Sequence, residues 1–127
     1  MFKKVLAGFA LLAILATVLA ACSIHDTSGA SGPTVHMGSA NFTQTSITIS
    51  KGASITMLDD VAVQHIITNG QWKNGVPDTA KESGAPSYNQ TFNGNDSNAL
   101  GPFTTGGTFH YYCTVHPGMN LTVIVGA

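Results

Sequence analysis

The chain has 127 residues, enough for one domain, and sets five lysines and no arginine against six carboxylates, a formal charge of −1. No basic face is available to neutralise phosphates, which argues against nucleic-acid binding. Two cysteines fall short of the thiolates an iron–sulfur cluster takes.

Met1-Phe2-Lys3-Lys4 is a short basic start, and Val5 to Ala21 is apolar apart from Gly8 and Thr17. That pattern reads as the n- and h-regions of a secretory signal and lies at the lower edge of a membrane-spanning length. Leu19-Ala20-Ala21-Cys22 resembles the lipobox of bacterial lipoproteins. The resemblance implies that residues 1–21 are a signal peptide and that Cys22 is acylated as the first residue of the mature chain. An uncleaved anchor helix is the alternative. Either way Lys3 and Lys4 keep the N-terminus inside, so the globular part lies on the extracytoplasmic face of the membrane, periplasmic or at the cell surface. Without residues 1–21, three lysines face six carboxylates, a formal charge of −3. Residues 22–33 then read as a lipidated flexible tether. Ser23 to Pro33 is small, polar and aperiodic, and spans roughly 20 Å as a random coil.

From residue 34 to 127 the signals are those of strands. Thr34-Val35-His36-Met37 is strand-like. Thr43, Thr45, Ile47 and Ile49 alternate with polar residues up to the Lys51-Gly52 turn. Ile55 and Met57 share one side of the next segment, and Asp59-Asp60 reads as a polar break. Val61, Val63, His65 and Ile67 share a parity that ends at Asn69-Gly70. Asn69 to Ser87 is a long irregular stretch with two prolines and three glycines, expected to be functional or to carry a short helical turn. Tyr88 to Phe92 is a short strand before the Asn93-to-Asp96 turn. Phe109, Tyr111 and Cys113 share a parity after Gly106-Gly107, and Leu121, Val123 and Val125 close the chain. No stretch holds helical periodicity. Short alternating strands separated by Gly, Asn and Asp turns predict an all-β sandwich or barrel.

The chemistry concentrates in Cys113-Thr114-Val115-His116-Pro117-Gly118-Met119. If Cys22 carries lipid, Cys113 has no disulfide partner in an oxidising compartment, where a bare thiol is vulnerable. A metal bond or deep burial would protect it. Cys113 shares the inward parity of Phe109 and Tyr111, and Pro117-Gly118 turns the chain so that His116 and Met119 can fold back over the sulfur. His65 shares the parity of Val63 and Ile67 and offers a second imidazole from a neighbouring strand. A thiolate and two imidazoles with a weak axial thioether are the ligands of a blue-copper site. Structural zinc prefers four Cys or His ligands, and calcium or magnesium prefers oxygen. His36 is the competing candidate for the His65 position. His110 has the opposite parity to Cys113 and is expected on the outer face, and Met37 and Met57 fit ordinary packing. Trp72 reads as an anchor of the long loop.

Gly107-Thr108-Phe109-His110-Tyr111-Tyr112-Cys113, followed by the Cys-x2-His-x2-Met spacing, resembles the cupredoxins, closest to the amicyanin, plastocyanin and auracyanin branch. The resemblance covers residues 34–126. It implies a Greek-key β-sandwich with one type-1 copper ion held by His65, Cys113, His116 and Met119. The implied function is single-electron transfer with transient partners, such as a cytochrome, a membrane redox complex or a copper enzyme, by a monomer that is not itself an enzyme. One position departs from the family. Ile66 stands where an Asn usually braces the ligand loop, so Thr114 is expected to lack its partner and the surroundings of the site to be looser. Two other functions compete. A copper storage or delivery protein would expose Met and His clusters, which the chain lacks. An enzyme using Cys113 and His116 as nucleophile and base would need a third, orienting group.

Overall fold

Alternating apolar and polar side chains decide which face of each strand turns inward. The computed structural model describes residues 32–127. The expected signal segment, Cys22 and the expected tether up to residue 31 lie outside the described residues. The described residues form ten strands and no helix. They are β1 (Thr34–Met37), β2 (Ser46–Ile49), β3 (Ile55–Asp59), β4 (His65–Asn69), β5 (Gln71–Lys73), β6 (Val76–Asp78), β7 (Asn89–Phe92), β8 (Ser97–Leu100), β9 (Gly107–Cys113) and β10 (Asn120–Val125).

Two sheets form the expected Greek-key sandwich. One has the order β1-β3-β8 and the other β2-β10-β9-β4-β7; β5 and β6 make a separate hairpin. β1 pairs with β3, and β2 with β10, in parallel. The remaining pairs are antiparallel. Val35, Met37, Ile55, Met57 and Leu100 line the inner face of the first sheet. Ile67, Phe92, Phe109, Tyr111, Leu121 and Val123 line that of the second. Phe103, between β8 and β9, fills the space between them, with its ring 5.8 Å from Phe109 and 6.1 Å edge-on to Tyr111. Each such fully buried side chain contributes about 1.5–3 kcal/mol of hydrophobic stabilisation.

The register of β4 on β9 positions the site. Ile67 lies opposite Cys113, the last residue of β9. His65, two residues earlier on the antiparallel β4, shares the inward face of Ile67 and overhangs the end of β9, while Phe92 of β7 pairs with it on the other side. A diagonal neighbour of this kind is within reach of a long or aromatic side chain.

Three sequence expectations are corrected. Asp59 is not part of a polar break; it is the last residue of β3, buried on the parity of Ile55 and Met57. Residues 61–64 are loop, and the strand of His65 begins at His65 itself. The stretch from Asn69 to Ser87, expected to be functional or to carry a short helical turn, carries the β5–β6 hairpin in place of a helical turn. Its tip is Asn74-Gly75, both at positive φ (51° and 77°), the backbone that a tight two-residue hairpin turn demands.

Candidate metal centre

Cys113 and His65 are fully buried, because the last residue of β9 and the first of β4 both lie on the core-facing side. Cys113 Sγ lies 3.7 Å from His65 Nδ1 and 3.4 Å from His116 Nδ1. The two imidazole centroids are 4.8 Å apart and the rings tilt by 52°. One donor atom from each residue fits within 4.8 Å of the other two. Three of the four residues expected from the sequence therefore converge on one point through their donor atoms. The fourth, Met119, is buried in the same loop.

That loop is closed by its own main chain. Cys113 N–H donates to the Met119 carbonyl (3.0 Å) and Met119 N–H to the His116 carbonyl (3.1 Å). Gly118 takes φ +81°, with open space where a side chain would begin, so the turn asks for glycine through backbone conformation alone. Thr114 N–H donates to the Ile66 carbonyl at 2.9 Å. This main-chain bond ties the loop to β4 whatever side chain residue 66 carries; the amide side-chain brace that Ile66 lacks has no replacement in the Ile66 side chain, which carries no polar atom. Trp72 adds a further tie. Its Nε1–H donates to the Cys113 carbonyl (2.8 Å), its ring packs edge-on against Tyr112, and its main chain exchanges hydrogen bonds with the Asn120 side chain. Trp72 is the anchor that was expected, and it anchors the cysteine itself.

Burial holds the pKa of His65 below the ordinary imidazole value. Asp59 opposes that shift, His116 adds to it, and the nearby Gly38 carbonyl opposes it, although His65 Nε2 makes no well-aligned hydrogen bond. A neutral imidazole is the form that ligates metal.

The donor set and its spacing fit a first-row metal ion. Bonds of about 2.0–2.1 Å to nitrogen and about 2.3 Å to sulfur, the lengths that zinc takes, separate nitrogen from sulfur by about 3.6 Å at the tetrahedral angle and about 3.8 Å at 120°. The observed separations are 3.7 and 3.4 Å. One thiolate and two imidazoles beside a buried methionine match the preference of copper.

The competing histidines lie elsewhere. His36 points outward from β1 and pairs through Nδ1 with Asp60 Oδ2 (2.7 Å), both side chains nearly half exposed. His110 faces away from the site, as its parity predicts, and pairs with Glu82. Met37 and Met57 are core residues. Sequence reasoning missed Asp59, whose Oδ1 lies 3.9 Å from His65 Nε2 with both side chains fully buried. Its parity with Ile55 and Met57 was the available signal.

Comparison with known proteins agrees with this geometry. Residues 31–126 match the family described as copper binding proteins, plastocyanin/azurin family. Among solved structures, the chain is similar to amicyanin from Paracoccus versutus (TM-score 0.58, 22% identity, covering 76% of this chain and 83% of that one). It is also similar to a purple cupredoxin from Nitrosopumilus maritimus (TM-score 0.56, 21% identity, covering 74% and 99%). Comparison with curated proteins gave no match. With a family match over three-quarters of its length and a donor set suited to one type-1 copper ion, the chain belongs to the copper-binding plastocyanin/azurin family, the cupredoxins.

Proposed function

We propose that this chain is a membrane-attached blue-copper protein that passes single electrons between transient redox partners. The observation that carries the reading is the convergence of one sulfur and two imidazole nitrogens on a common point, held by strand ends and a loop closed by main-chain hydrogen bonds. In this reading His65 and His116 would supply Nδ1, Cys113 Sγ, and Met119 a weaker sulfur donor. Bound copper supplies a one-electron couple. The protein's part is to keep the donors in place in both oxidation states. Cys113 and His65 are fixed by β9 and β4, and the Thr114 to Ile66 bond ties the loop to β4. Little has to move when charge changes, which favours rapid transfer.

His116 is the natural exit for the electron. It is only partly buried, and Val115 (43% exposed), Pro117 and Gly118 surround it with small apolar surface. A small, weakly polar patch suits brief encounters between redox proteins. Attachment through acylated Cys22, with residues 1–21 removed, rests on the Leu19-to-Cys22 pattern. It would keep the domain at residues 34–127 on the extracytoplasmic face, as a monomer.

Two observations weigh against the alternatives. A copper storage or delivery role calls for exposed methionines and free histidines. Among the described residues Met37, Met57 and Met119 are buried, and His36 and His110 are each paired with a carboxylate. A nucleophile–base reading of Cys113 and His116 is disfavoured because the sulfur faces two imidazoles, which is an arrangement for a metal ion rather than for proton transfer. The test is to reduce the copper-loaded protein, challenge it with a Cu(I) chelator, and reoxidise it. A carrier keeps its copper and returns one electron per protein. Loss of copper to the chelator on reduction would instead indicate a delivery protein.

A further inference from the structure

Asp59 is the only acidic residue among the described residues that is fully buried. It closes β3 in the sheet opposite β4, on the core-facing parity. Its Oδ1 accepts the Val61 N–H at 3.2 Å, and its Oδ2 meets no partner. Across the gap lies His65 Nε2, 3.9 Å from Oδ1, also buried; the Gly38 carbonyl is near it but makes no well-aligned hydrogen bond. The other ring nitrogen, Nδ1, faces the Cys113 sulfur. The imidazole is therefore set between a thiol on one edge and a carboxylate on the other.

A neutral imidazole carries one proton and one lone pair, and the group beside one nitrogen decides which nitrogen holds the proton. A carboxylate beside Nε2 favours the proton there and leaves the lone pair on Nδ1, the edge that faces Cys113 and His116. A buried negative charge close to a ligand also favours the more positive state of a bound metal, and the low dielectric of the interior strengthens that effect. We propose that Asp59 is a positioning residue for His65: its buried carboxylate keeps the imidazole proton on Nε2, presents Nδ1 to the metal, and biases bound copper toward Cu(II). This rests on the reading of His65 as a copper ligand. The merely structural role, shaping the turn from Asp59 to Val61, needs only an oxygen acceptor, which asparagine also has.

The test uses the full chain and the substitution Asp59→Asn. Nitrogen-15 NMR of the copper-free wild-type protein should show His65 protonated on Nε2, and the variant should gain a share of the Nδ1-protonated form. In the copper-loaded variant the preference for Cu(II) over Cu(I) should fall about tenfold, a rise of about 59 mV in reduction potential for this one-electron couple. The charge-transfer band of the variant should stay in place. A wild-type His65 protonated on Nδ1 would overturn the proposal, as would an unchanged potential in a variant that binds copper normally. If Asp59→Asn does not fold, Asp59→Ser, which also removes the carboxylate and keeps an oxygen, is measured in its place with the same two outcomes. A wild-type protein that binds no copper sinks the ligand reading separately, because the tautomer is measured without the metal.

Discussion

Cys113 is held at two atoms. Its sulfur faces two imidazoles, and its carbonyl receives the Trp72 indole N–H. The second contact fixes the strand end that aims the first. Replacing Trp72 with Phe keeps a ring against Tyr112 but leaves that carbonyl without its donor. The expected cost is about 1–2 kcal/mol, read from urea unfolding of the copper-free protein; wild-type stability in the variant would mean the bond contributes nothing. Met119 tests a different property. In the proposed role of a weak donor it should matter little for copper retention and more for potential. Met119→Leu should keep copper and raise the reduction potential, measured by voltammetry, whereas an unchanged potential would remove Met119 from the axial role.

β4 and β9 carry the site, and the elements around them set its rigidity. Gly70 follows β4 at φ +116°, and a Cβ there would come 2.2 Å from the Asp78 carbonyl oxygen. Gly70→Ala should therefore destabilise the fold by about 2 kcal/mol or more, because strained backbone and backbone clash add; a melting temperature equal to wild type would contradict this. Glu82 clasps the outer side of β9 through His110. Burial pushes the Glu82 carboxyl up, but hydrogen bonds to it, chiefly from the His110 ring, bring it below its ordinary value. A carboxyl depressed in the folded state stabilises the protein above its unfolded pKa, near 4.5, and loses that contribution as pH falls through the folded value. The wild-type melting temperature should fall faster below pH 4.5 than that of Glu82→Gln, and parallel curves would contradict the assignment.

The legibility of these elements in the sequence follows from the same physics. Phe109, Tyr111 and Cys113, like Ile55 and Met57, show their parity because one face of each strand is buried. β8 passed unnoticed because three of its four residues are exposed and no alternation remains. The hairpin inside the long loop was signalled only by Asn74-Gly75. Asp59 was read as a break because a carboxylate rarely sits in a core. The four proposed site residues were named from their chemistry and parity, but the pairing of Ile67 with Cys113 is non-local, and only the fold supplies it.

The molecule as a whole combines a small sandwich, a site at the end of two strands of its larger sheet, and a proposed lipid tether. The core of the domain is formed between its own two sheets. Cys22→Ala should therefore yield a folded, copper-binding protein that no longer sediments with membranes; persistent membrane association would favour an uncleaved apolar anchor. The central claim is that one thiolate and two imidazoles bind a single copper ion. Its most direct test is the absorption and electron paramagnetic resonance spectrum of the Cu(II)-loaded chain beside Cys113→Ser and His65→Ala. The account predicts an intense blue or green thiolate-to-copper band, lost in the first variant and strongly altered in the second. A colourless Cu(II) complex, or a band indifferent to position 65, would contradict it.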